Sequence, residues 1–130
     1  EMTWDSPMMD EKGLYDLNNC TPLTKDSDTL SLSHDLLSHD VLTFKNLPDY
    51  TVTLKGNRTG HGVKLTFPGF DYLGLWSAAN DAPFVAIEPW IGCSTCSDED
   101  NIFEHKRGIK IVEAGKINES VFTITLLCKQ

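Results

Sequence analysis

Apolar positions along the chain recur at every second residue inside short segments, and turn-forming residues separate those segments. In YTVTLKG (50–56), Val52 and Leu54 fall on one face, while Thr51, Thr53 and Lys55 fall on the other. HGVKLTF (61–67) sets Val63, Leu65 and Phe67 on one face. The Gly- and Asn-rich GNRTGHG (56–62) joins the two, so the pair predicts a β-hairpin. TLSLS (29–33), VLTFK (41–45), YLGLW (72–76), FVAIEPW (84–90), GIKIVEA (108–114) and SVFTITLLC (120–128) predict further strands, and DLLSHD (35–40) predicts one helical turn. Residues 1–28 show no sustained periodicity and no strong helix cap, and read as an irregular lead-in. Strand-length segments about ten residues apart, without an amphipathic helix of three turns, are the pattern of an antiparallel β-sandwich or barrel. The expectation is one all-β unit over residues 1–130.

Composition narrows the function classes. The chain of 130 residues carries 11 Lys and Arg against 19 Asp and Glu, a formal charge of −8. Nucleic-acid and anionic-membrane surfaces need a basic face, so neither is an expected partner. No apolar run approaches the length of a membrane span. The four cysteines are too sparse for a disulfide-stapled scaffold and read as thiols of a reducing, cytoplasmic compartment. Cys93 and Cys96 form a C-x-x-C, but four-ligand zinc needs a second ligand pair, and the sequence has no second C-x-x-C. The acidic run Asp98, Glu99 and Asp100 lacks the spaced oxygens and glycine of an EF-hand loop. No metal and no cofactor is expected. The chain begins at Glu1 without an initiator Met, which reads as processing or as a piece of something larger.

The most unusual segment is PFVAIEPW (83–90), where an apolar strand runs into Glu88, then Pro89 and Trp90. A carboxylate taken out of water beside an indole holds its proton more readily, the property a general base near neutral pH needs. Pro89 removes a ladder donor and is expected to stop the strand, leaving Glu88 at a sheet rim or on a concave surface. Trp4, Trp76 and Trp90 offer faces on which a sugar ring could stack, besides the ordinary role of packing a core. If the strands around Leu75 and Ile87 are neighbours, then Trp76, Glu88 and Trp90 share one face. Asp40, next to His39 and just before VLTFK, either points into a site or ends the turn. His34, His39, His61 and His105 are dispersed along the chain.

Five strings in order, LSLSHDLLSHDVLTFKNL, YTVTLKG with GVKLTF, FPGFDYLGLWS, PFVAIEPWIG and FEHKRGIKIVEAG, resemble the aldose 1-epimerase (galactose mutarotase) superfamily and its LacX-like bacterial branch. The resemblance covers roughly Leu30 to Leu127. It implies an antiparallel β-sandwich, part of a mutarotase-like supersandwich, whose concave face binds a hexose. It also implies a cofactor-free reaction in which a glutamate deprotonates the anomeric hydroxyl and a histidine protonates the ring oxygen. Glu88 matches that base. Asp40 matches an aspartate that hydrogen-bonds sugar hydroxyls, and Trp76 and Trp90 would line the pocket. The family's acid histidine belongs to a His-Pro motif, and no His-Pro occurs here. The family domain is about twice this length, so residues 29–130 resemble its C-terminal part. The expectation is therefore a sugar epimerase fragment that is inert alone and either pairs with another copy or retains a proteolysed N-terminal piece. The other reading is a non-catalytic carbohydrate-binding β-sandwich, and a third is a metal module on Cys93 and Cys96.

Overall fold

The computed structural model describes residues 4–24, 27–38 and 40–128; His39 lies outside them. Eight strands follow in chain order: β1 (Trp4–Met9), β2 (Tyr15–Thr24), β3 (Leu42–Lys45), β4 (Thr51–Lys55), β5 (Gly62–Thr66), β6 (Tyr72–Trp76), β7 (Ala86–Trp90) and β8 (Thr123–Leu127). They form three antiparallel sheets among the described residues, ordered β1-β2, β3-β6-β7 and β4-β5-β8. The all-β, antiparallel architecture is the one predicted.

The period-two pattern decides which faces meet. Leu42 and Phe44 of β3 stand opposite Leu75 and Leu73 of β6, and Leu75 stands opposite Ile87 of β7. In the other three-stranded sheet, Val52, Leu65 and Ile124 lie in one row across β4, β5 and β8. Phe44, Leu65, Phe67, Phe70, Leu73 and Leu75 bury one another, with Leu37 from the turn before β3, so these two sheets share a single core. The predicted hairpin is β4-β5, in register from Thr51↔Thr66 to Lys55↔Gly62 and closed by Gly56 N–H donating to the His61 carbonyl at 2.9 Å.

Three expectations are corrected. The lead-in contains a hairpin: β1 pairs with β2, with register breaks between Trp4 and Asp5 and between Pro7 and Met8. Those irregularities, and the many polar residues, hide it from a search for strict alternation. TLSLS and GIKIVEA form no strands. Leu30 and Leu32 still lean on the core, so the alternation there reports a buried face without a paired backbone. Ile111 is 81% exposed and has no ladder to join. The turn expected at 35–40 is found over 34–38, with Leu37 N–H donating to the Ser33 carbonyl at 3.2 Å, while His39 lies outside the described residues.

Candidate functional site

The face of the β3-β6-β7 sheet opposite the core carries the candidate residues. The β6-β7 register is Tyr72↔Trp90, Gly74↔Glu88 and Trp76↔Ala86, and directly opposed residues point to the same side. Trp76, Glu88 and Trp90 therefore share one face, as the strand pairing proposed from the sequence requires. Thr43 of β3 stands opposite Gly74, so Thr43, Gly74 and Glu88 form one row across three strands. Trp4 belongs to β1, in another sheet.

Pro89 does not end the strand. β7 is an edge strand and runs through to Trp90. The Trp90 carbonyl points inward and accepts from Asp71 N–H at 2.9 Å, so the adjacent Pro89 nitrogen points outward, where no donor is needed. Glu88, one position earlier, then projects from the middle of the strand and not from its rim.

Within the site, Trp90 Nε1–H donates to Glu88 Oε2 at 3.2 Å. The indole reaches that carboxylate by lying across Gly74: a Cβ placed there would stand 2.7 Å from Trp90 Cζ2. Gly74 thus keeps open the space through which a tryptophan and a glutamate two residues apart can meet. Trp76 lies one step further along the same face, partly exposed, with its ring 5.7 Å from that of Phe84. Ser77 Oγ–H fixes that neighbour by donating to the Phe84 carbonyl at 2.8 Å.

Asp40 lies in no strand. It precedes β3, in line with the Trp76 end of the sheet, and accepts the Val41 N–H at 2.7 Å. Its φ of 116° is a conformation that side-chain-bearing residues seldom adopt, and such strain collects at functional positions.

Tyr15 is the residue that sequence reasoning missed. It comes from β2, is 1% exposed, and its hydroxyl is 2.8 Å from Thr43 Oγ1. The Thr43 N–H donates to Ser6 Oγ of β1 at 2.9 Å, so the β1-β2 hairpin lies over the Thr43 end of the row. Burial pushes the Tyr15 phenol up, helped by the Asp40 charge and opposed by hydrogen bonds to Thr43 and Ser94. Tyr72, opposite Trp90, is pushed up to about 12, chiefly by burial. The signal for Tyr15 was available only as a lone aromatic in a polar stretch.

No group of three or more His, Cys, Asp or Glu side chains suited to a metal ion occurs among the described residues. The acidic run is engaged by basic partners: Arg107 Nη2 with Asp98 at 3.0 Å, Lys106 Nζ with Glu99 at 3.6 Å and His105 Nδ1 with Asp100 at 2.7 Å. No helix among the described residues is long and apolar enough to cross a membrane.

No protein-family model matches the chain. Two LacX proteins of Lactococcus lactis subsp. lactis, chromosomal and plasmid, are each 38% identical to it over 117 residues, covering 90% of this chain. The crystal structure of a galactose mutarotase related enzyme from Lactobacillus acidophilus superposes with a TM-score of 0.81 at 28% identity, covering 96% of this chain. The chain is similar, over nearly its whole length, to part of these LacX and galactose mutarotase-related proteins. It spans 39% of the length of the LacX relatives and 42% of the chain in the crystal structure. The LacX-like sheet therefore carries Glu88, Trp90 and Trp76 on one face within a fold shared with that enzyme.

Proposed function

We propose that this LacX-like chain supplies the base side of an aldose 1-epimerase, a protein that interconverts the α and β anomers of a hexose. The observation that carries the reading is the hydrogen-bonded Glu88–Trp90 pair beside Trp76 on one sheet face. Glu88 would take the proton of the anomeric hydroxyl while a separate acid protonates the ring oxygen. The bond between the anomeric carbon and the ring oxygen breaks and the aldehyde carbon rotates. Ring closure, with the protons returned, then gives the other anomer. The indole N–H holds one carboxylate oxygen, which leaves the other to face the sugar. Trp76 and Trp90 provide apolar faces for the pyranose, and Asp40 accepts a sugar hydroxyl. General acid–base catalysis of this kind contributes about 10²–10⁴-fold from each positioned group. The same reading places the protein in the cytoplasm.

The test is polarimetric mutarotation of glucose and galactose by the full-length parent and its Glu88→Gln variant. Loss of turnover in the variant is expected; unchanged turnover would remove Glu88 from the role of base. The 130-residue chain alone is expected to be inert, because the acid lies outside the resemblance. Rate enhancement by this chain that Glu88→Gln abolishes would overturn that expectation. A non-catalytic hexose-binding protein is the second reading, supported by the partly exposed Trp76–Phe84 pair, which suits stacking whether or not chemistry follows. Tryptophan fluorescence quenched by hexoses in a parent without turnover would favour it.

A further inference from the structure

After β7 the chain leaves the sheet at Gly92 and returns at Gly108, where the two backbones press together. A Cβ on Gly92 would stand 3.1 Å from the Arg107 carbonyl, and one on Gly108 would run into the Gly92 backbone. Both residues have positive φ, 76° and 75°, which glycine tolerates without cost. The loop closed in this way is tied internally by the Asp98–Arg107, Glu99–Lys106 and Asp100–His105 pairs. It is also docked on β2, through Tyr15 N–H to the Thr95 carbonyl at 2.9 Å and Ser97 N–H to the Tyr15 carbonyl at 2.8 Å. Inside it lie Cys93 and Cys96, both buried thiols, with their Sγ atoms 3.8 Å apart.

We infer that Cys93 and Cys96 are a redox modification site, closing to an intraloop disulfide by exchange with a small-molecule disulfide such as glutathione disulfide. A loop pinned at its neck and, at Thr95 and Ser97, on both sides of Cys96 keeps the two side chains from separating. The sulfurs need only close from 3.8 Å to about 2.05 Å. Cys93 also lines an open depression of about 440 Å³, with Pro89, Trp90, Ile91, Gly92 and Ser94, through which a tripeptide disulfide can reach it. One cysteine thiolate attacks a sulfur of the glutathione disulfide and expels one glutathione. The other cysteine then displaces the second glutathione. Two electrons and two thiol hydrogens pass from the protein, and two reduced glutathiones are released. Burial and the neighbouring Cys96 sulfur push the Cys93 thiol up to about 11, opposed by a bond from Tyr72, so exchange is slow near neutral pH. Tyr72 is the cross-strand partner of Trp90, so the cross-link forms directly beside the candidate site.

The experiment uses the wild-type chain, equilibrated over a series of glutathione to glutathione-disulfide ratios, quenched in acid, alkylated after denaturation and digested with trypsin. Cleavage after Lys64 and Lys106 isolates residues 65–106, which hold Cys93 and Cys96, while Cys20 and Cys128 fall in other peptides. The expected result is a 65–106 peptide that loses both alkyl labels together, is lighter by two hydrogens, and regains both labels after dithiothreitol. Two alkylated cysteines at the most oxidising ratio would overturn the inference, as would a lasting glutathione adduct on this peptide. In Cys96→Ser, glutathione is expected to stay attached to Cys93; an adduct that never forms there would remove the proposed entry point.

Discussion

Glu88 owes its setting to its neighbour across the ladder. Gly74 is the position where β6 must leave room, since any side chain there meets the Trp90 ring. Gly74→Ala is expected to displace the indole and break its bond to Glu88. The cost should be about 1–3 kcal/mol, the range for overpacking a well-filled site, read as a lower urea midpoint with altered tryptophan fluorescence. Trp90→Phe keeps an aromatic ring but removes the donor. In a mutarotation assay of the full-length parent it should lower kcat by roughly ten- to a hundredfold at unchanged fold, since a bond to a charged group contributes roughly 1.5–3 kcal/mol. Sequence reasoning found Glu88 because a carboxylate at the end of an apolar run is conspicuous. It could not find the Trp90–Glu88 bond, which depends on the missing Cβ of a residue fourteen positions earlier.

Two acids, the buried Cys93 and the half-buried Tyr72, give the chain an alkaline limit. Burial raises Cys93 from 9.0 to about 11 and Tyr72 from 10.0 to about 12. Each group is neutral in both states below its unfolded value, so its contribution is fully present there. Above that value the unfolded chain releases its proton first, and the contribution is lost as pH rises through the folded value. Stability should therefore fall from about pH 9 and keep falling towards pH 12, measured as urea midpoints across that range. Cys93→Ser should flatten the early part of the decline.

At the scale of elements, what was legible followed from local alternation. Six of the eight strand segments expected from alternation are strands, because a half-buried strand must show one apolar face whatever it pairs with. The β1-β2 hairpin was not legible, since it holds its place partly through polar contacts. Ser6, 5% exposed, accepts the buried Thr43 N–H, and Tyr15 bonds to the Thr43 side chain. Ser6→Ala would leave that N–H without a partner. It should destabilise the chain by about 1–3 kcal/mol, and amide hydrogen exchange at Thr43 should speed up accordingly. GIKIVEA shows the opposite error: Ile109 and Ile111 alternate as a strand would, yet the segment forms no strand and Ile111 is left exposed.

At the scale of the whole molecule, one sheet is left partly uncovered. Phe122, Ile124 and Leu126 are 48%, 57% and 76% exposed, although Ile124 and Leu126 share the face on which Leu65 is buried. β8 is also an edge strand whose sequence, TITLL, carries no charge. Exposed, uncharged edges of this kind are prone to pair with another chain. The 130-residue chain alone should therefore self-associate or carry a co-purifying peptide, and sedimentation velocity tests this. A monodisperse monomer without such a peptide would count against it.

The sequence by itself determined the all-β class, the faces of most strands, the acidic character and the short list Glu88, Trp76, Trp90 and Asp40. All of these depend on residue type and on a side-chain period that neighbours along the chain enforce. Only the tertiary structure decided that Glu88 stands opposite Gly74 and bonds to Trp90, that Tyr15 covers Thr43, and that Cys93 meets Cys96 inside a closed loop. Those arrangements rest on register, on close backbone approach and on contacts between distant segments. They form when strands far apart in the chain pair and loops close, and no local pattern encodes either event.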